Sequence, residues 1–291
     1  MENKTEPAIA VLPYQSWKTF NLNSLSLDLL EWPLGRPDRL KNGTIRDMIK
    51  NDHLITFPRK SVFLFPRPLI KAKISVMIVE PDAIHNLYIN ISKYLHWRFY
   101  KILTKNKYLL EEIHNTSFFY FGSTFIQNSD KIDLQKKNMA SLIASNQNKL
   151  TGHKLRHKIV QHIKSKNLDI SVIGRGYKPF KNKEDGLKSF RYSIVIENSS
   201  ELDYFTEKVI DACLLETIPI YWGAPNISKY FDTKGFIICE SIDQILLAIQ
   251  TMSVDDYNSK KEWIKKNKIT AAYHANYIKR AAHVIRSNLK S

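Results

Sequence analysis

Short apolar runs, separated by polar turns and prolines, make up the first half of the chain. Runs of this kind are typical of strands, whereas apolar residues at helical spacing indicate an amphipathic helix. We therefore predict strands at 8–12, 61–65, 74–79, 100–103 and 118–121, and a helix at 83–95.

The second half alternates more regularly between short apolar runs and amphipathic stretches. In its first amphipathic stretch Leu155, Ile159 and Ile163 recur at every fourth position and are expected to face the core, with Thr151 as the predicted N-cap. Strands that alternate with helices predict an α/β fold, in which helices cover both faces of a parallel sheet. The predicted strands are 139–144, 170–173, 192–196 and 218–222, and the predicted helices are 153–166, 206–216 and 241–252.

A polar segment at 129–138 is the predicted boundary between two domains. We predict a first domain at 1–135, a second at 136–255 and a basic helical tail at 256–291. In the tail, apolar residues such as Trp263 and Tyr277 lie among many lysines. This pattern is typical of a helix that packs its apolar face on the rest of the protein and exposes its basic face to solvent. It also suits an interfacial helix on an anionic membrane.

Charge narrows the class of partner. The 291 residues carry a formal net charge of +16, which favours an anionic partner: nucleic acid, an acidic membrane surface or a phosphate-bearing substrate. The sequence contains no apolar run long enough to cross a membrane, and residues 1–7 do not have the pattern of a secretory signal. We therefore expect a cytoplasmic protein, or one lying on the cytosolic face of the cell membrane.

Cysteine and histidine spacing does not predict a metal site. Cys213 and Cys239 lie in apolar stretches outside any CxxC pattern, so we expect buried, reduced thiols. His153 and His157 have the spacing of a helical metal pair, but no carboxylate lies between them as in HExxH.

Polar residues with binding potential follow one predicted strand in the segment 191–223. Glu197 and Asn198 come directly after the strand, where ligands bind in open α/β sheets. Thr206 caps the next predicted helix, and Lys208 in its first turn suits a bound anion better than it suits the helix dipole. The same residues are compatible with a plain capped helix that carries an incidental Lys–Glu pair.

The order and spacing of this segment resemble the signature of the α-1,3/4-fucosyltransferases, glycosyltransferase family 10, and particularly its bacterial members. The matching residues are the ENS run at 197–199, the DYFTEK run at 203–208 and the IPIYWG run at 218–223, followed by Ala224 and Pro225. The resemblance covers about 139–238 and implies that Asn198, Tyr204, Glu207 and Lys208 bind the nucleotide-sugar donor.

A second match lies upstream, in the Ala144-Ser145-Asn146 run and the helix that follows it. By itself, Arg156 in that helix is compatible with a surface residue. The resemblance implies that Arg156 clamps the donor diphosphate together with Lys208, and a guanidinium suits a diphosphate because it binds in a bidentate manner. The GRGY run at 174–177 has two interpretations. Its glycines could let the backbone approach the donor closely beside the charge of Arg175, or the run could be an ordinary turn.

The resemblance further implies a GT-B architecture, in which two Rossmann-like domains face each other across a cleft, and an inverting transfer that requires no metal or other cofactor. Such a transfer needs a general base near the acceptor hydroxyl. Glu80 is the predicted base because it directly follows the predicted strand 74–79, with Asp82 and His85 as further candidates. Glu80 could equally cap the following helix.

The resemblance implies transfer of fucose from GDP-fucose to a glycan hydroxyl, in the synthesis of a bacterial surface polysaccharide. The expected partners are the nucleotide sugar, a glycan acceptor and the surface of an anionic membrane, but not nucleic acid. The alternatives are another nucleotide-sugar donor, or a basic module that binds nucleic acid or membrane without transferase activity.

Overall fold

The chain forms two compact units, each built on a five-stranded parallel sheet. The computed structural model describes residues 6–13 and 21–289; part of the segment 1–7 and the last two residues of the predicted tail lie outside that range. Unit 1 comprises Met1–Tyr120 and Tyr277–Ser291, and unit 2 comprises Phe121–Asn276. These limits differ from the predicted domain boundaries at 135/136 and 255/256. The predicted α/β fold class is confirmed.

In unit 1 the strands lie side by side in the order in which they occur along the chain. Every neighbouring pair is parallel, and the sheet is buried among apolar side chains of the helices and turns. The strands are β1 (Ile9–Val11), β2 (His53–Thr56), β3 (Lys73–Ile78), β4 (Ile102–Thr104) and β5 (Thr116–Phe118). The first three helices are α1 (Lys60–Leu64), α2 (Asp82–Leu95) and α3 (Lys107–Glu112), with single 3-10 turns at Leu22–Ser24, Leu27–Leu29, Asp38–Leu40, Ile45–Asp47 and His96–Arg98.

In unit 2 the strand order reverses next to the first strand. From β6 the chain passes to β7 on one side and then to β8 on the other, so the sheet order is β10-β9-β8-β6-β7. Crevices form at such reversals, beyond the carboxyl ends of the strands. The strands are β6 (Asn138–Ile143), β7 (Ile170–Ile173), β8 (Phe190–Ile196), β9 (Ile218–Trp222) and β10 (Ile237–Ile238). The helices are α4 (Thr151–Ser165), α5 (Glu207–Leu214), α6 (Ile242–Thr251), α7 (Val254–Ser259) and α8 (Lys261–Ala275), with 3-10 turns at Ser129–Lys131, Lys183–Gly186, Ile227–Lys229 and Thr233–Gly235.

The segment predicted as one basic tail is shared between the two units. α7 and α8 belong to unit 2, whereas the last helix, α9 (Tyr277–Ser287), belongs to unit 1 and packs near β1 and β2. The Arg280 guanidinium stacks 4.2 Å from the ring centroid of Tyr120, and Ile285 is buried. The apolar face of this amphipathic helix therefore packs against its own unit.

Two local predictions were wrong, the predicted strand 118–121 shares only Phe118 with β5, and two strands were not predicted. Residues 61–65 form most of the short helix α1 rather than a strand, because Val62 and Phe63 are both buried while the next two residues are exposed, which does not fit strand alternation. Thr151 is the first residue of α4, and Leu150 is its N-cap. β2 and β10 were missed: β2 begins with a histidine and β10 has only two residues.

Both cysteines are free and buried, as predicted, and burial raises the pKa of the Cys239 thiol to about 11. Among residues 6–13 and 21–289, we find no helix that combines the length and the apolar character required to span a bilayer.

Candidate functional site

The start of α4 touches the end of β8 directly. The Gly152 amide donates a hydrogen bond to the Asn198 carbonyl at 3.0 Å. A β-carbon on Gly152 would lie only 1.7 Å from the Glu197 carbonyl oxygen, so this approach requires glycine. The contact brings the amide groups of the first helical turn beside the strand end at which the sheet order reverses.

Arg156 lies one turn further along α4 and is almost completely buried. Its Nη2 donates to Asn198 Oδ1 at 2.7 Å. Its Nε has no hydrogen-bond partner among the residues that the structure describes. Burial lowers the pKa of Arg156, against the opposing effect of the Glu197 carboxylate. A buried guanidinium that still has a donor to satisfy is suited to binding an anion.

Glu197 joins the end of β8 to the start of α5. Its Oε1 accepts from the Thr206 amide at 2.9 Å, and its Oε2 accepts from the Thr206 hydroxyl at 2.7 Å. Its Cγ packs against Gly223, where a β-carbon would come within 2.7 Å. Sequence reasoning named Glu197 only as part of the motif and gave it no role, although a buried carboxylate beside the N-cap of α5 holds the binding residues in place.

Lys208 projects from the first turn of α5 into a group of oxygen atoms. Its Nζ lies 3.0 Å from Thr206 Oγ1, 3.2 Å from Glu207 Oε1 and 3.4 Å from Glu197 Oε2. Burial works to lower the pKa of Lys208, but the two carboxylates outweigh it and raise that pKa. Burial likewise opposes ionisation of Glu207, but Lys208 and Lys183 lower its pKa to about 2. Both groups are therefore charged at neutral pH.

His153 and His157, the first two of the three histidines in α4, contact local partners. His153 Nδ1 accepts from the Leu150 amide at 3.3 Å, while burial and the nearby Arg156 and Lys208 charges lower its pKa. His157 Nδ1 lies 2.9 Å from the Tyr177 hydroxyl, and its Nε2 lies 2.8 Å from the Gln147 carbonyl oxygen. Among the described residues no group of three or more His, Cys, Asp or Glu side chains is placed to hold a metal ion.

These residues surround a cavity of about 930 Å³ within unit 2. Arg156, Asn198, Glu207 and Lys208 all line it, so the structure brings together four of the five predicted donor-binding residues. The fifth, Tyr204, is buried and is not among the lining residues, although its hydroxyl is close enough to influence the pKa of Arg156. The lining also contains the predicted Arg175 and the Gly174 that precedes it.

Gly174 sets the shape of the cavity at the end of β7. Its φ is +128°, and a β-carbon there would lie 2.0 Å from the Ala144 carbonyl oxygen. Glycine is needed for both reasons, and the GRGY run is therefore a close approach between the ends of β6 and β7. Arg175 itself is exposed.

A second buried carboxylate, Asp211, lies on α5 one turn after Glu207. The Lys183 ammonium pairs with its Oδ2 at 2.8 Å, and the Thr124 hydroxyl donates to its Oδ1 at 2.5 Å. Burial raises the pKa of Asp211, although Lys183 opposes this effect. Sequence reasoning missed this group because its members lie far apart in the chain and belong to no recognisable motif.

Glu80, the predicted base, lies in unit 1 just beyond the end of β3. Its side chain is half-buried, and its amide donates to His85 Nδ1 at 3.2 Å. Burial and the nearby Lys105 lower the pKa of His85 to about 4, so this imidazole is neutral. The remaining candidate, Asp82, accepts from Asn106 Nδ2 at 2.8 Å and lies 3.8 Å from Lys105 Nζ.

Sequence comparison identifies relatives of the second half of the chain. A model described as glycosyltransferase family 10 (fucosyltransferase), C-terminal part, matches residues 134–285. An alpha-(1,3)-fucosyltransferase FucT from Helicobacter pylori is 36% identical over 111 residues, which are 38% of this chain and 23% of that protein. A putative fucosyltransferase-like protein from Arabidopsis thaliana is 25% identical over 88 residues, 28% of this chain and 17% of its own. The matched segments span less than a quarter of these curated relatives.

Structural comparison shows the same fold class over most of the chain. The crystal structure of an alpha1,3-fucosyltransferase with GDP-fucose aligns with a TM-score of 0.52 and 19% identity, covering 90% of this chain and 83% of that one. TarM aligns with a TM-score of 0.54 and 12% identity, covering 83% of this chain and 55% of its own. These likenesses confirm the GT-B type of fold.

The family model covers slightly more than half of the 291 residues, including every residue of the 191–223 segment. The resemblance predicted from that segment is confirmed: this chain belongs to glycosyltransferase family 10, the fucosyltransferase family.

Proposed function

We propose that this protein transfers fucose from GDP-fucose to a hydroxyl group of a glycan, with inversion at the anomeric carbon. The observation that carries the proposal is the buried Arg156, whose Nε has no hydrogen-bond partner among the described residues, in the same cavity as Lys208. Family membership and the fold it shares with a fucosyltransferase solved with GDP-fucose support the choice of donor.

The diphosphate of the donor binds between Arg156 and Lys208 in this proposal. α4 and α5 both begin at the cavity, and the amide groups of a helix start favour negative charge there. Lys208 is held by the Glu197 and Glu207 carboxylates, which keep its ammonium charged and positioned. Charge-assisted hydrogen bonds from a guanidinium and an ammonium stabilise the leaving diphosphate as its negative charge grows.

Glu80 is the proposed general base in unit 1. Its carboxylate removes the proton of the acceptor hydroxyl, whose oxygen attacks the anomeric carbon of the sugar. The bond from that carbon to the diphosphate oxygen breaks, and GDP leaves with the electron pair. The reaction therefore yields one glycoside, one GDP and one proton. No step in this scheme calls for a metal ion.

The biological setting is part of the proposal. We place the acceptor among bacterial surface polysaccharides and the protein in the cytoplasm, in peripheral contact with an anionic membrane. The net charge of +16 supports an anionic surface as partner. A second candidate function is transfer from another nucleotide sugar, because the diphosphate contacts of Arg156 and Lys208 would serve any such donor.

A donor-and-acceptor screen tests this function. The full chain is incubated with GDP-fucose, GDP-mannose or a UDP-sugar, each with a panel of glycans, and release of nucleotide diphosphate is measured. We expect GDP release from GDP-fucose that depends on the acceptor. Turnover of a UDP-sugar instead would favour the second candidate, and absence of turnover with every pair would count against transferase activity.

A further inference from the structure

One aromatic side chain that lines the cavity is exposed to water. Phe125 is 65% exposed and lines the cavity. It lies in a loop, outside any helix or strand. Its chain neighbour Ile126 is buried, so the backbone turns Phe125 outward while the next residue anchors the segment. A large apolar ring that lines a cavity and is exposed to solvent is a candidate contact for a ligand.

The backbone of Phe125 is fixed by the buried Asp211. The Phe125 amide donates to Asp211 Oδ1 at 3.3 Å and lies 3.4 Å from Oδ2. The Thr124 hydroxyl donates to the same carboxylate and accepts from the Ile126 amide at 2.9 Å. Because Asp211 lies one turn from Glu207 on α5, Phe125 is tied to the helix that carries Lys208.

The ring of Phe125 is also held in orientation. The Lys183 ammonium lies 4.8 Å from its centroid and pairs with Asp211 Oδ2 at 2.8 Å. The ion pair compensates the charge of Lys183, so this ammonium is already neutralised within the protein. One flank of the ring is thus covered by a cation, and its exposed surface faces the cavity.

The neighbouring lining residues suit a planar heterocycle. Gln127, two residues after Phe125, and Asn182, next to Lys183, bring amide side chains to the lining, and Phe180 brings a second ring. Aromatic rings bind nucleobases by stacking, and amides hydrogen-bond to their edges. The Lys183 ammonium is already paired with Asp211, so it offers a diphosphate less than Arg156 does, whose Nε has no hydrogen-bond partner among the described residues.

We infer that Phe125, held by Asp211 and flanked by Lys183, is the surface on which the nucleobase of the donor stacks. The inference rests on the proposed function and deepens it, because it assigns the base to this edge of the cavity and the diphosphate to Arg156 and Lys208. Phe125 is then a determinant of affinity for the nucleoside part of the donor.

Calorimetric titration of three ligands into the full chain tests this assignment. Phe125→Ala should weaken binding of GDP and of GDP-fucose equally, on the order of tenfold for the loss of one stacking contact. Binding of pyrophosphate, which has no base, should be unchanged. Phe125→Trp should bind GDP about as tightly as the wild type, because it keeps an aromatic ring. Phe125→Leu should bind GDP as weakly as Phe125→Ala. Tyr273→Ala is the matched control, because Tyr273 is equally exposed at 65% and lies on α8 away from the cavity lining.

Several results would overturn the inference. Unchanged GDP affinity in Phe125→Ala would show that the base binds elsewhere. An equal loss of pyrophosphate binding would show that the ring only supports the structure of the cavity. A loss confined to GDP-fucose would assign Phe125 to the sugar. A wild-type protein that binds none of the three ligands would instead reject the donor site, and thereby the proposed function itself.

Discussion

A β-carbon on Gly152 would lie 1.7 Å from the carbonyl oxygen of Glu197. This single contact sets the distance between the start of α4 and the end of β8. It places Arg156, one turn along α4, within hydrogen-bonding distance of Asn198, which directly follows Glu197. The geometry of the cationic part of the cavity therefore depends on a position that itself carries no functional group.

Gly152→Ala should destabilise the protein and weaken GDP binding. The new methyl group meets backbone rather than a flexible side chain, so α4 must move, at a cost of about 1–3 kcal/mol. Chemical unfolding measures the first effect and calorimetry the second. Gln161→Ala, at an exposed position of the same helix, is the control. Equal stability and affinity in the two variants would contradict the close approach.

Arg156→Ala should weaken GDP binding without loss of the fold. Removing a charge-assisted contact costs about 1.5–3 kcal/mol, which corresponds to roughly a tenfold to hundredfold weaker affinity. Lys158→Ala is a matched control, because it removes the same charge from an exposed position of α4. If the two variants bind GDP equally well, the charge of Arg156 acts only through long-range attraction, and the clamp is refuted.

Glu80→Gln should slow transfer while donor binding stays intact. Loss of a general base lowers turnover by about 10²–10⁴-fold, and the amide keeps the size of the side chain. Product formation and GDP titration separate the two effects. Glu111→Gln, on α3 of the same unit, serves as control because the Glu111 side chain is largely exposed and its carboxylate lies 3.7 Å from Lys107 Nζ in a surface ion pair. Near-normal turnover in Glu80→Gln would show that Glu80 is not the general base, without contradicting the proposed donor site.

Acid should destabilise unit 1 through His53. This side chain is fully buried in β2, neither ring nitrogen has a hydrogen-bond partner among the described residues, and burial lowers its pKa to about 4. The unfolded chain binds the proton below about pH 6.5, whereas the folded protein does not until about pH 4. Stability is therefore lost progressively as the pH falls through this window, by at most about 1.4 kcal/mol per pH unit for this group.

His53→Phe should reduce this acid sensitivity. The ring lies 4.5 Å from that of Tyr100 in an edge-on contact that phenylalanine can also make. Urea unfolding at pH 7 and at pH 5 should show a smaller loss of stability in the variant than in the wild type. His85 has the same low pKa, so part of the dependence of the free energy of unfolding on pH remains in both proteins. An unchanged pH dependence would show that His53 does not titrate as described.

The sequence was most informative where local pattern and function coincide. β7 and β9 were predicted to the residue, because each is a short apolar run bounded by polar residues or glycine. The resemblance to the family implied a donor-binding role for Arg156, Asn198, Glu207 and Lys208, and the structure brings all four to one cavity. Residues 61–65 show the limit of this reasoning: the same apolar run suits a strand or a short helix, and tertiary packing decides.

The local sequence pattern could not predict contacts between segments that are distant in the chain. Asp211 gathers Thr124, Phe125 and Lys183, which are separated from it by tens of residues. The need for glycine at position 152 likewise follows from the carbonyl of Glu197, some forty residues later. The division of the basic tail between the units was not visible either, because α8 and α9 are both rich in basic and apolar residues.

Titration of GDP into the full wild-type chain tests whether Arg156 belongs to a site for the nucleotide-sugar donor. We expect micromolar binding that persists in EDTA, is stronger than binding of UDP, and falls in Arg156→Ala but not in Lys158→Ala. Absence of GDP binding, or equal affinity for GDP in both variants, would contradict a nucleotide-sugar site built on Arg156.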